Sequence, residues 1–104
     1  MTSPVLTGAA RIGMLNISAP LARLSASPDA VRLQAKWQGD FVFPAESIAR
    51  IEPHTVIPFF RTGVRIHHTV DDYPSKICFY RFGSPAAVFE LLRDAGFPTD
   101  KLAE

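Results

Sequence analysis

Hydrophobic and polar residues alternate most cleanly in two places along the chain. Val31, Leu33, Ala35 and Trp37 take turns with Arg32, Gln34, Lys36 and Gln38, and Val64, Ile66, His68 and Val70 take turns with Arg65, His67 and Thr69. A period of two sends neighbouring side chains to opposite sides of an extended chain, so both stretches are predicted to be half-buried strands. The phase puts Trp37 with Val31, Leu33 and Ala35, on the side expected to pack as core or rim. Ala10 to Ser18 changes phase at Met14–Leu15, which predicts a bulged strand or one covered on both faces. Ala19–Pro20 punctuates the chain before a short strand over Leu21 to Ser25.

Turn chemistry divides the rest. Ser27–Pro28–Asp29 is a turn cluster, and Gly39–Asp40 predicts a hairpin into a strand from Phe41 to Phe43 that Pro44 ends. Ala45 to Ser47 reads as loop or a turn of 3₁₀ helix. Ile48 to Ile57 reads as a strand whose phase breaks at Pro53, and Pro58 to Gly63 as a loop. Asp71 to Ser75 is a turn, and the aromatic and β-branched content of Lys76 to Phe82 favours a final strand. About seven short strands separated by turns predict a sandwich or small barrel.

Only the last segment changes period. Ser84 is placed to cap a helix and Pro85 to open it. Val88, Leu91, Leu92 and Ala95 then recur at helical spacing, with Phe89 widening the stripe and Glu90, Arg93 and Asp94 on the other side. Gly96 can take the left-handed conformation after the helix, Phe97 can fold back on Leu92, and Pro98 prevents continuation. Residues 1–9 read as a flexible lead-in, 10–97 as the domain and 98–104 as a tail.

Composition narrows the class. The 104 residues suit one domain, and 47% hydrophobic with 20% charged residues is a globular balance. Eleven Lys and Arg against ten Asp and Glu leave a net charge of +1. That balance argues against nucleic acid as a partner and against a polybasic membrane anchor. Lys36, Lys76 and Lys101 are the only lysines. One cysteine, Cys78, forms no internal disulfide and suits a reducing compartment. No basic segment followed by an apolar core marks a leader, and no apolar run approaches the ~20 residues of a membrane span. The expectation is a cytoplasmic protein without a transmembrane segment.

Candidate chemistry is sparse. His67 and His68 are adjacent in a strand, so they point to opposite sides and do not share a metal. His54 and Cys78 add ligand types but no ligand spacing. His68 is expected to continue the buried side and bond a backbone group, with His67 exposed beside Arg65. Cys78 is expected opposite Ile77 and Phe79, beside Tyr80, as a structural residue. Asp71 and Asp72 fit an exposed turn. Phe59 and Phe60, followed by Arg61 and Arg65, either fold back to cap the barrel or combine aromatic anchors with charge in the way of an interface.

The strings ISAPLARLSASPDAVRL, FVFPAESIARIEP, GVRIHH, YPSKICFYRF and AAVFELLRDAGF resemble the bacterial single-domain pleckstrin-homology-like proteins from Ala10 to Phe97. The resemblance implies a mainly β fold, a barrel of two antiparallel sheets capped by one C-terminal helix. It implies a scaffold for binding lipids, peptides or proteins, and no activity. The best-known ligand of that fold, a phosphoinositide headgroup, is gripped by lysines and arginines at the first hairpin. Here Ile12 to Ser25 has Arg11 at its edge, Arg23 within it and no lysine, so phosphoinositide is not expected.

The expected function is a non-enzymatic binding or assembly module without metal or cofactor. It would engage a protein partner or a second copy of itself through sheet edges or through Phe59, Phe60, Arg61, Arg65 and His67. The alternative is a small-ligand or lipid site between the sheets.

Overall fold

The structure is a computed structural model that describes residues 4–56, 61–82 and 85–104, without the side chains of Thr55, Val56, Arg61 and Phe82. Seven strands come first: β1 (Leu6–Ile12), β2 (Leu15–Ala26), β3 (Ala30–Ala35), β4 (Gly39–Pro44), β5 (Ile48–Val56), β6 (Arg61–His68) and β7 (Ile77–Phe82). A 3₁₀ turn, Ala45–Ser47, joins β4 to β5, as expected of that segment. Helix α1 (Ala86–Asp94) follows the strands, and a second 3₁₀ turn spans Thr99–Lys101. Among the described residues no helix is long and apolar enough to cross a membrane.

The strands are antiparallel and lie in the order β4-β3-β2-β1-β7-β6-β5. Two sheets were expected; one continuous sheet is found, because β1 pairs with β2 on one side and β7 on the other. The sheet curls into a half-barrel around Phe43, Phe79, Phe89 and Phe97, all essentially without exposure. Both neighbours of β7 approach its backbone closely. A Cβ at Gly63 of β6 would stand 1.8 Å from the Phe79 carbonyl oxygen, and one at Gly8 of β1 would stand 2.1 Å from that of Tyr80. Only glycine lets both neighbours approach the β7 backbone so closely.

The first hairpin differs from its sequence reading. β1 starts at Leu6, inside the segment read as a lead-in, and the chain turns at Gly13–Met14, where a bulged strand was expected. Gly13 has φ +61°, which supplies the turn. Pro20 lies within β2, not before it. Between the pairs Gly8↔Ala22 and Ala10↔Ile17 the register shifts, so Ser18 to Leu21 bypass the ladder and Pro20 interrupts no bond there.

Trp37 is a second correction. β3 ends at Ala35, and a turn over Lys36 to Gln38 follows, closed by the Gln38 N–H donating to the Ala35 carbonyl at 3.0 Å. The turn breaks the alternation before it reaches Trp37, which is 80% exposed at φ +68°. β6 likewise begins earlier than expected, at Arg61, so Gly63 belongs to a strand. Pro58, Phe59, Phe60 and Ser84 lie outside the described residues.

Helix α1 buries Val88, Phe89, Leu91 and Leu92, the predicted stripe, and exposes Glu90, Arg93 and Asp94. Pro85 sits one position before its expected place, as the N-cap. The stop matches the Schellman pattern. The Gly96 N–H donates to Arg93 O and the Phe97 N–H to Leu92 O, both at 3.0 Å, with Gly96 at φ +82°.

Each sheet edge is covered in part. On β4 the outward-facing Val42 N–H donates to the Tyr73 hydroxyl at 3.2 Å, and Pro44, next on that side, has no N–H. Tyr73 is held edge-on against Phe41 and Phe43 at 5.1 and 5.2 Å. On β5 the tail bridges Ile51 through Leu102, with the Ala103 N–H donating to Ile51 O at 2.8 Å and Lys101 Nζ to Ile48 O at 2.7 Å. Pro53, the next outward residue of β5, also lacks an N–H. Covered edges and edge prolines are how sheets avoid unwanted pairing.

Candidate functional site

With one side of the curled sheet packed as core, the period of two commits the other set of residues to the outer face. The register then aligns them in rows. Glu52 of β5, Arg65 of β6, Cys78 of β7 and Arg11 of β1 lie directly opposite one another. His54, Gly63, Tyr80 and Ala9 form the next row. On the other half of the sheet, Arg23, Gln34 and Asp40 align across β2, β3 and β4. Among the described side chains, five strand arginines stand on this face (Arg11, Arg23, Arg32, Arg50 and Arg65) against two strand carboxylates, Asp40 and Glu52.

Both carboxylates are committed. Asp40 accepts from Arg32, and that pair together with Gln34 holds its carboxyl below the usual carboxylate range. Glu52 accepts from His67 Nε2 at 2.6 Å and from Arg50 Nε at 3.2 Å. His67 first and Arg50 second lower its pKa. Arg65 stands across from Glu52, yet among the described residues it makes no ion pair with it. The Nε of Arg65 is buried with no hydrogen-bond partner. A buried charged donor without a partner is expensive, so it is the most conspicuous unsatisfied group on this face.

The neighbours of Arg65 are packed. Cys78 has no exposure and lies with Tyr80 and Ala9, as its phase predicted. Burial first, then contact with the Cys78 thiol, push the Tyr80 hydroxyl well above its ordinary range. The His54 ring lies 5.9 Å from that of Tyr80, and burial, aided by Lys76 and Arg65, lowers its pKa below 6.5. Neutral His54 therefore adds shape to this face at neutral pH and no charge.

Arg65 and His67 share the outer face, two residues apart on β6. His67 is half-buried and tied to Glu52, not free beside Arg65 as expected. Arg61 opens β6, while its side chain, Phe59 and Phe60 lie outside the described residues. His68 points to the inner side and satisfies itself on backbone: Nδ1 accepts the Val70 N–H at 3.0 Å, which leaves Nε2–H to donate to Pro74 O at 2.8 Å. Asp71 and Asp72 are exposed in the turn. Among the described residues no three His, Cys, Asp or Glu side chains gather to hold a metal ion.

Sequence reasoning missed Glu52 and Arg50, and weighed His54 only as a metal ligand. Their even-numbered alternation along β5, with Ile51 between them, was the available signal, but Pro53 obscured it. The inner side of the curl, where the alternative placed a ligand, carries the buried core, Phe43, Phe79, Phe89 and Phe97 among it. A surface cleft of about 410 Å³ lies on the other half of the outer face, lined by Pro20, Leu21, Arg23, Gln34, Ala35, Lys36 and Asp40. Comparison with protein-family models, curated proteins and solved structures finds no match to the chain.

Proposed function

We propose that the chain is a non-enzymatic binding module of the pleckstrin-homology-like kind, which takes an acidic segment of a protein partner on the outer face of β5–β7. The strand order and the single helix after the last strand support the fold part of this reading. Arg65 and His67 lie at the centre of the surface, with Phe59, Phe60 and Arg61 next to them along the chain. The covered edges favour this face over edge pairing, because a partner or second copy pairing with β5 must first displace Leu102.

The observation that carries the reading is Arg65. Its Nε is buried without a partner, and the carboxylate opposite it is already shared by His67 and Arg50. The Nε itself is out of a partner's reach, but Arg65 is only half-buried, so a partner carboxylate would pair with its terminal nitrogens, where surroundings screen the charge less than open water does.

Titration of isotope-labelled protein with the peptide acetyl-Glu-Glu-Phe-Glu-Glu-amide tests this. The expected result is amide shifts confined to β5, β6 and β7, weakened by added salt and reduced roughly tenfold in affinity by Arg65→Gln, about 1.4 kcal/mol. Equal binding of the glutamine counterpart, or shifts elsewhere only, would overturn the proposal.

A further inference from the structure

The cleft on the β2–β4 half is separate from Arg65 and is built differently. Pro20, Leu21 and Ala35 give it apolar walls, and Arg23, Gln34, Lys36 and Asp40 give it polar ones. Its size is within the range of small-ligand sites. Of its charged groups, Asp40 is already spoken for by Arg32. Gln34, also on the cleft wall, carries an amide that can both donate and accept. Arg23, directly opposite Gln34, has no ion-pair partner among the described residues.

Trp37 adds an independent observation. It occupies the third position of the β3–β4 turn at positive φ, where glycine or asparagine is the ordinary occupant. Its indole is 80% exposed, so burial does not offset the conformational cost. The Lys36 ammonium, which lines the cleft, stands 5.0 Å from the centre of the ring. A strained, exposed aromatic sharing a lysine with an open cleft is a feature that folding alone does not explain.

We propose that this cleft binds an apolar carboxylate, either a small free acid or the C-terminal residue of a peptide. Arg23 pairs with the carboxylate, with Lys36 adding positive potential. The apolar body lies against Leu21 and Pro20, with the Trp37 ring alongside. Gln34 accepts a hydrogen bond where the ligand has an N–H to offer, as a peptide end does.

Trp37 is the chain's one tryptophan and stands beside this cleft over Lys36, so tryptophan fluorescence comes from this end of the molecule. The probes are cyclohexanecarboxylate, its neutral amide, N-acetyl-leucine and N-acetyl-leucinamide. Saturable changes in Trp37 emission with the acids, and amide shifts at Arg23, Gln34 and Asp40, are expected. Arg23→Gln should weaken acid binding about tenfold, and Trp37→Gly should weaken it while the protein stays folded, read by amide shifts. Cyclohexanecarboxylate binding without N-acetyl-leucine assigns a free acid; binding of both assigns a chain end as well. Equal binding of acids and amides, unchanged affinity in Arg23→Gln, or no saturation at millimolar concentration would each overturn the proposal. None of these outcomes bears on Arg65, which a separate peptide tests.

Discussion

On the β5–β7 half of the outer face, charged and aromatic groups are packed against one another: His67 and Arg50 close on Glu52, Tyr80 and Cys78 are buried, and Arg65 Nε is walled in. On the β2–β4 half the same residue types stand open. Arg23 is exposed, Asp40 pairs with Arg32 at the surface, and Trp37 projects from a turn. The difference follows from the curl. Gly8 and Gly63 let β1 and β6 close tightly on β7, which crowds the outer face there, while β4 is an edge strand with no further strand beside it. A crowded half uses charge to satisfy itself and leaves one orphan; an open half leaves its charges available.

The most severe test of that contrast is the tight seam. Gly63→Ala should cost about 3 kcal/mol in urea denaturation, because the new Cβ meets backbone that has to move. Gly39→Ala, with nothing within 4 Å but φ +112°, should cost only about 1 kcal/mol. Equal costs would remove the steric basis of the comparison. Next in size is the tail that covers β5. Leu102→Ala should cost about 1–2 kcal/mol, since Leu102 is half-buried against the core. Hydrogen exchange at Ala103 should accelerate in the same variant, and an unchanged rate would show that the bridge to Ile51 does not depend on that side chain.

Trp37→Gly should raise stability, by about 1 kcal/mol, because it removes a bulky residue from positive φ at little loss of buried surface. A loss of stability would instead make the indole a structural part of the open half.

The smallest effects are electrostatic. Glu52 has a folded pKa below its ordinary value, so its contribution is present above about pH 4.5 and is lost as the pH falls through the folded value. Glu52→Gln should flatten that part of the acid limb in thermal melts. His54 also titrates below its ordinary value of 6.5. The unfolded chain therefore takes up the proton first, and stability declines as the pH drops below 6.5. His54→Phe should reduce that slope, and an unaltered slope would place its origin elsewhere.

Much of the architecture was legible without coordinates. The alternation along β3 and β6, the proline and glycine punctuation, and the helix with its glycine stop are short-range patterns, and short-range sterics and hydrogen bonding enforce them. Cys78 fell beside Tyr80, and His68 opposite His67, for the same reason: in a strand, parity decides the side. Parity fails where a strand ends. Trp37 kept the phase of Val31, Leu33 and Ala35 in the sequence, but the turn at Lys36 rotated it into solvent.

What tertiary structure decided was pairing between segments far apart in the chain. The union of seven strands into one sheet, the hold of His67 on Glu52, the Tyr73 hydroxyl on Val42 and the tail on Ile51 all depend on which strand lies next to which. The sequence by itself determined the elements and their faces, because those arise from neighbours a few residues apart. Only the folded chain decided which charges found partners and which did not, because that depends on the curl and on distances no local pattern encodes.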